Sequence, residues 1–517
     1  MSAINDYSKD IEAKFKSNKA TEHTYRRDLE VLLETIGGNN VQVINEPKRN
    51  GSNAPDYYIS RDVLTIGFVE AKDIDKNLSL VENSEQLHRY RQAYNNLLLT
   101  NYLDFRWYVE GEFFEQVTIG TLDKGKIRFD SDKFDALAGM LRRYYATEVP
   151  EIISPEDLAR RMAKMTRELA QLIVEALDNT DNPPKDLISK KEAVARVLLP
   201  NLDNRQFSDM YAQTIAYGLF AARARYTGKP EKFTLETAFF QLPKTNPFLG
   251  KLFQNIAAEL DTRVKFMADV IAQLLAYAKG LDDVIANFGH STRQADPVIH
   301  FYETFLNAYD ATQRERRGVY YTPEPVVSYI VRSVDHILRE TFGRNEGLAD
   351  KETLILDPAT GTGTFLYKVI QEIHDSMAGN RGMWQSYVQK NLLKRLFGFE
   401  LLMAPYTVAH MKLNLLLGEL GYNFESDDRL GIYLTNTLEE NVQQATLPFA
   451  EYLTDEANAA TEIKKKKEIM VVLGNPPYSG HSANRSRDEQ GKFTWIGRLL
   501  DDYYKVDGEP LGERNSK

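Results

Sequence analysis

The spacing of apolar positions changes twice along the chain. Up to about residue 150, short runs rich in aromatic and β-branched side chains read as strands: Tyr57–Ser60, Leu64–Glu70, Phe105–Val109 and Phe113–Val117. The stretch Glu82–Leu99 reads as a helix. From about 151 to 315 the pattern is almost wholly helical. Ser154-Pro155-Glu156-Asp157 is a helix start, with a capping serine, a proline in the first turn and acids near the positive end. Leu158, Met162, Met165, Leu169, Leu172 and Ile173 follow at three- and four-residue spacing as one apolar stripe. Arg160, Arg161, Lys164 and Arg167 fall mainly on its other, solvated faces. From about 316 onward strand and helix alternate, with strands predicted at Leu354–Asp357, Leu396–Glu400, Leu430–Leu434 and Ile469–Gly474. That is the pattern of a parallel sheet with helices on both faces. The run Lys464–Lys467 before the last of these strands reads as a solvated helix end. The three regions, 1–150, 151–315 and 316–517, predict an α/β chain of two α/β domains joined by a helical connector.

Composition narrows the chemistry. At 517 residues, 43% hydrophobic and 11% aromatic, the chain can build several cores and is not a disordered polymer. No apolar run reaches transmembrane length and the N-terminus is polar, so the expectation is a soluble cytoplasmic protein without a membrane partner. There is no cysteine, which excludes disulfides, thiolate zinc sites and thiol nucleophiles. The net charge of −10 argues against a broadly basic nucleic-acid-binding surface, leaving a confined basic groove as the alternative.

Three features in the last region belong together. Asp357-Pro358-Ala359-Thr360-Gly361-Thr362-Gly363-Thr364-Phe365 stands where a strand turns into a helix. Glycines there allow close backbone approach. No Gly-Lys-Ser/Thr follows, so this is not a phosphate loop. An acid at the strand end suits a cationic, amino-acid-bearing ligand: Asp357 can hold the ammonium group of S-adenosylmethionine. Glu400, closing the strand LFGFE, can bind two ribose hydroxyls, although an acid at a strand end is otherwise an ordinary surface residue. Asn475-Pro476-Pro477-Tyr478 follows the apolar strand IMVVLG, and its chance occurrence in such a chain is on the order of one in a thousand. An aromatic amine is a poor nucleophile because its lone pair is delocalised. The Asn475 side-chain oxygen and a loop carbonyl can accept its hydrogens and localise that pair. Pro476 and Pro477 stiffen the loop, and Tyr478 offers a stacking face for an extruded base. An amide nitrogen poses the same problem, so protein glutamine or RNA remains an alternative substrate.

The order Gly318-Val319-Tyr320-Tyr321-Thr322-Pro323, then D-P-A-T-G-T-G-T-F, then N-P-P-Y resembles the gamma-class adenine-N6 DNA methyltransferases. The resemblance implies a Rossmann-like domain that uses S-adenosylmethionine on double-stranded DNA. Cofactor contacts are then expected at Tyr321, Thr322, Pro323, Asp357, Pro358, Ala359, Thr360, Gly361, Gly363, Thr364, Phe365 and Glu400, with Asn475, Pro476 and Tyr478 at the methyl transfer. The family often has an acid after the third strand; here Asn436 stands there and can bond the cofactor's adenine.

In the first region Pro55-Asp56 is followed after thirteen residues by Glu70-Ala71-Lys72. The pattern resembles the PD-(D/E)xK nucleases, although such pairs are also frequent in turns and helices. Alternation puts Glu70 and Lys72 on one strand face. Asp56 and Glu70 can then bind Mg²⁺, with Lys72 stabilising an attacking hydroxide. Gln86 and Tyr90 match the Q-x-x-x-Y element of some branches and share a helical face. Glu22 is a further candidate acid. Together the chain resembles the N-terminal portion of type IIG or type ISP restriction–modification enzymes. No G-x-x-x-x-G-K-S/T occurs, so ATP-driven translocation is not expected. Only 43 residues run from Asn475 to Lys517. The expectation is therefore a truncated or split form without target recognition, with a second polypeptide supplying the missing strands and recognition domain. The competing reading is a non-catalytic fragment that binds DNA or cofactor.

Overall fold

The computed structural model describes residues 2–17, 22–45, 54–61, 64–147, 151–199, 202–224, 226–238, 250, 260–287, 297–309, 322–424, 429–439, 448–477, 487, 491–503, 505–506 and 509–510. They fall into two compact units. One comprises Met1–Pro184, Thr227–Leu235 and Asp261–Ala286, the other Lys185–Tyr226, Glu236–Leu260 and Asn287–Lys517. The helical stretch after residue 151 is therefore shared. Helix Pro155–Asp178 packs on helix Thr262–Tyr277 within the first unit, whereas helices Lys185–Val197 and Asn204–Ala224 pack within the second.

The first unit is built on a six-stranded sheet in the order β1 (Val41–Asn45), β2 (Tyr57–Arg61), β3 (Leu64–Ala71), β4 (Asn96–Thr100), β5 (Asp104–Val109) and β6 (Glu112–Thr118). β3 and β4 pair in parallel, and the other neighbours are antiparallel. A hairpin, β7 (Gly120–Asp123) and β8 (Lys126–Phe129), follows. The helix expected over Glu82–Leu99 is corrected. Helix Glu85–Ala93, capped by Ser84, stops there, and the next residues form β4. Parallel pairing needs a crossover connection, and this short helix lies in it. Every residue of β4 is buried, so its continuous apolar run Leu97-Leu98-Leu99 lacks the alternation of a half-exposed strand. Helices Ser2–Lys16, Glu22–Gly37 and Phe134–Tyr145 cover the sheet, burying Ile11, Leu29, Leu33, Leu137 and Leu141 against Tyr57, Ile59 and Val69.

Helix Pro155–Asp178 begins as its sequence predicts: the Ser154 side chain accepts from the Asp157 N–H. It is fastened to helix Glu85–Ala93 by a buried charge cluster. Arg89 pairs with Glu168 at 2.8 Å and with Glu175 at 2.9 Å. Burial pushes the Glu168 carboxyl up to about 7, opposed by Arg89 and reinforced by Glu175.

The second unit holds a four-stranded parallel sheet in the order β11 (Gly431–Leu434), β10 (Leu396–Glu400), β9 (Ile355–Asp357) and β12 (Val471–Val472). All four lie within the strands predicted. Strand alternation divides the flanking helices between the two faces. Phe397 and Phe399 pack on Ala460 and Ile463 of helix Pro448–Lys466. Gly398 faces the other way, where a Cβ would stand 2.6 Å from the Thr360 hydroxyl and 2.9 Å from Leu366 of helix Thr364–Ser376. One reading of the charge run changes. Lys464 is no solvated helix end, because its ammonium donates to the carbonyls of Asn436 (2.7 Å) and Glu439 (2.9 Å).

Replacing Arg89 by Met is expected to destabilise the first unit by about 3–5 kcal/mol at pH 8, since it strands a buried carboxylate. The loss shrinks at pH 5, where Glu168 is protonated. Urea denaturation midpoints at the two pH values measure both effects, and an equal loss at both would contradict this account.

Candidate functional sites

In the second unit the expected residues converge on the carboxyl ends of the parallel strands. The order reverses between β9 and β12, and a crevice for ligands opens at such a switch point. Asp357 ends β9. It is fully buried, and its Oδ1 accepts the Ala359 N–H at 3.1 Å. Its Oδ2 is buried with no hydrogen-bond partner. Burial pushes the carboxyl up to about 7; the Ala359 N–H opposes the rise and the nearby Glu400 adds to it. A buried carboxylate oxygen lacking a donor fits an ammonium ligand. The neighbouring strand leaves room for Asp357 only because residue 474 is glycine, where a Cβ would lie 2.5 Å from Oδ1.

Beyond Asp357 the chain turns tightly. The Thr360 hydroxyl donates to the Asp357 carbonyl at 3.1 Å, and the Thr360 N–H reaches Phe399 on β10 at 2.9 Å. Gly361 and Gly363 take φ of 55° and 79°, a region side chains avoid, and Gly363 opens the following helix. Thr364 begins that helix and Phe365 is buried beneath it. The Thr437 hydroxyl donates to the Pro358 carbonyl at 2.6 Å, tying the third strand's loop to the first's.

Glu400, at the end of β10, accepts three backbone N–H groups, from Gly361 (2.7 Å), Leu401 (2.9 Å) and Leu402 (2.8 Å). Burial raises it to about 7, and those N–H groups hold it lower than burial alone would. A carboxylate has about four acceptor positions, so three bonds leave capacity for one more donor. Asn436 is engaged within the unit: its Nδ2 donates to the Leu198 carbonyl (3.4 Å) and its Oδ1 accepts from the Leu438 N–H (3.1 Å).

Past β12, Gly474 leads into Asn475, Pro476 and Pro477. The Asn475 Nδ2 donates to the Thr322 hydroxyl at 2.9 Å, joining two motifs 153 positions apart. Pro323 precedes helix Glu324–Glu340. Tyr321 and Tyr478 lie outside the described residues.

In the first unit four of the nuclease-like residues, Glu70, Lys72, Gln86 and Tyr90, form one network, and Asp56 lies beside it. The β2–β3 register places Tyr57 opposite Val69, so continuing it sets Asp56 opposite Glu70. Asp56 and Glu70 are both buried. The Lys72 ammonium lies 2.5 Å from Glu70 and donates to the Gln86 Oε1 at 3.2 Å. The Gln86 Nε2 in turn donates to the Tyr90 hydroxyl at 3.1 Å. Burial, with the charge of Glu70, holds the Tyr90 phenol well above its ordinary value and therefore protonated. Sequence reasoning missed Arg26, which pairs with Asp56 Oδ1 while Oδ2 accepts the Ala71 N–H at 2.9 Å. An arginine on an amphipathic helix gives no signal of such a role. Glu22 starts that helix, and its side chain is not among those described. Two facing carboxylates suit a Mg²⁺ ion that keeps much of its water, although Arg26 holds an oxygen such an ion would take. Among the described residues no cluster of three or more acids or histidines is arranged to hold a metal.

The sequence of residues 293–500 matches the model of the N-6 DNA Methylase family, so this stretch carries an N6 DNA methylase domain. Methylases of that family use S-adenosylmethionine. No curated protein matches the chain. Solved structures do. The DrdV–DNA complex aligns with 97% of this chain and 46% of its own, at 20% identity and a TM-score of 0.47. The ATP-dependent type ISP restriction–modification enzyme LlaBIII bound to DNA covers 74% of this chain and 24% of its own, at 21% identity and 0.48. A nuclease-deletion mutant of the type ISP enzyme LlaGI, with a DNA substrate mimic, covers 74% and 28%, at 20% identity and 0.45. The chain thus spans less than half the length of each of these structures. Among the described residues no helix is long and apolar enough to cross a membrane.

The raised carboxyls set the pH dependence of the ligand-free chain. Asp357 and Glu400 ordinarily titrate near 3.8 and 4.5, against about 7 in the fold. Between those values the unfolded chain has released protons that the folded chain keeps, so their contribution to stability falls as pH rises. Urea midpoints at pH 5 and pH 8 should therefore drop more for the wild type than for Asp357→Asn. Equal drops would contradict the assignment.

Proposed function

We propose that the second unit transfers a methyl group from S-adenosylmethionine to N6 of adenine in double-stranded DNA. The observation that carries this is the meeting of Asp357, whose Oδ2 has no partner and whose Oδ1 packs against Gly474, with the Gly474–Pro477 loop at one switch point, inside the stretch that matches the methylase family. In this reading the domain is Rossmann-like. Asp357 holds the cofactor's ammonium and Glu400 its ribose, with Thr322, Pro323 and the 358–365 loop around it. Asn436 reaches the cofactor's adenine after giving up Leu198. The bound cofactor supplies an electrophilic methyl group. The chain's part is to prepare the amine: the Asn475 Oδ1 and the Pro476 carbonyl accept its two hydrogens, drawing the lone pair out of the ring. Tyr478 stacks on the extruded base. No covalent enzyme intermediate is needed, in keeping with a chain that has no cysteine.

The first unit is read as a DNA-cleaving partner domain of restriction–modification type. Asp56 and Glu70 would hold Mg²⁺, which activates water for attack on a phosphodiester. Lys72, steadied by Glu70 and by Gln86 of the Gln86–Tyr90 pair, stabilises the attacking hydroxide. The network favours this over a chance match, because Glu70, Lys72, Gln86 and Tyr90 lie in one chain of contacts and Asp56 accepts the N–H of Ala71, between Glu70 and Lys72.

The methylation test incubates the chain with methyl-labelled S-adenosylmethionine and either duplex DNA, RNA or protein. Label is expected in adenine of duplex DNA, with a loss of at least a hundredfold in Asn475→Ala. Label in glutamine or RNA instead would overturn the substrate. For the first unit, Mg²⁺-dependent nicking or cleavage should vanish in Lys72→Ala; cleavage that persists there would remove the nuclease assignment.

A further inference from the structure

We propose that Thr322 is a positioning residue for Asn475, holding its side-chain amide in place for the reacting amine. The inference rests on the methyltransferase reading above and adds to it a role distinct from cofactor binding. An asparagine side chain is nearly symmetric in shape, and a half-turn about its last bond exchanges an acceptor for two donors. The proposed chemistry works with one orientation only. The amine brings N–H groups, so it needs the amide oxygen; an amide turned round would set donors against donors.

The structure shows the amide that way round, and the Thr322 hydroxyl, which can bond either end of it, fixes its place and plane. The Asn475 Nδ2 donates to the Thr322 Oγ1 at 2.9 Å, which spends the donor end of the amide on the protein and turns Oδ1 to the opposite side. Both partners are pinned by their neighbours. Pro323 follows Thr322 with φ of −52°, and its carbonyl accepts from the Val326 and Val327 N–H groups as helix Glu324–Glu340 begins. That helix packs on helix Thr364–Ser376, which starts at the 358–365 loop, and Lys368 of the second helix pairs with Glu324 of the first at 3.5 Å. Asn475 is likewise held between Gly474, packed against Asp357, and Pro476, whose ring restricts the residue before it. The hydroxyl therefore stands on a fixed frame, and a bond from it fixes the amide.

A group that only contacts the cofactor should change cofactor affinity, whereas one that orients Asn475 should change turnover. In Thr322→Val, which keeps the shape and removes the hydroxyl, kcat for adenine methylation is expected to fall roughly tenfold, the scale of one lost neutral hydrogen bond. The Kd for S-adenosylmethionine, measured by calorimetry without DNA, reports separately what Thr322 contributes as a cofactor contact, and the fall in kcat is read at saturating cofactor. Thr322→Ser, which restores the hydroxyl, should recover most of kcat and shows that any loss in the valine variant is not a folding defect. Unchanged kcat in Thr322→Val, or a rise in Kd that accounts for the whole loss, would overturn the proposal. A wild-type chain that methylates no adenine would instead overturn the reading it rests on.

Discussion

The second unit is organised by the place where β12 joins the sheet. Three strands are laid down side by side in one direction, and the fourth returns past the first to pair on its far side. That crossover brings the end of β12 against the end of β9, close enough that no side chain fits at residue 474. The Asp357 carboxylate takes the space where a Cβ would stand. The loop after Gly474 is thereby fixed beside a buried charge, and the Asn475 side chain comes within reach of Thr322. If β12 paired on the outer edge of β11, the same residues would be present with no common site.

Buried carboxylates recur across both units, and they are handled in three ways. Glu400 is satisfied by three backbone N–H groups, so it depends on the local turn more than on a counterion. Glu168 relies on Arg89, and Asp56 on Arg26. Asp357 receives one N–H and keeps an oxygen without a donor. Burying a polar atom without a partner is costly, and a ligand that supplies the missing donor recovers that cost on binding. At Asp357, occupancy by a ligand and stability of the fold are therefore directly linked.

Much of this was legible in the sequence, for identifiable reasons. The four strands of the second unit were readable because each is a short apolar run ending at a motif that punctuates it, as LFGFE ends at Glu400. The N6 methylase stretch was readable because its motifs are rare and ordered. The grouping of Glu70, Lys72, Gln86 and Tyr90 was readable from strand alternation and helical spacing. β4 was not: its LLL run has no period, so the reading of the preceding helix extended through it. Nor was Lys464, whose place in a charge run hid its bonds to two carbonyls. Arg26 and Glu168 were invisible for another reason. Their roles come from partners 30 and 79 positions away, at Asp56 and Arg89, and no local pattern encodes a contact of that separation.

The β9–β12 pairing also has a temporal side. Val471 aligns with Ile355 across 116 positions, and Asn475 meets Thr322 across 153. Helices and neighbouring strands can form early, but contacts of such span must wait until the intervening chain has been closed into a loop, and closure slows with separation. The site thus rests on contacts of long span, and none of the second unit's local elements carries it by itself. A chain interrupted between residues 357 and 471 would have helices, strands and much of its core, yet nothing to receive a ligand.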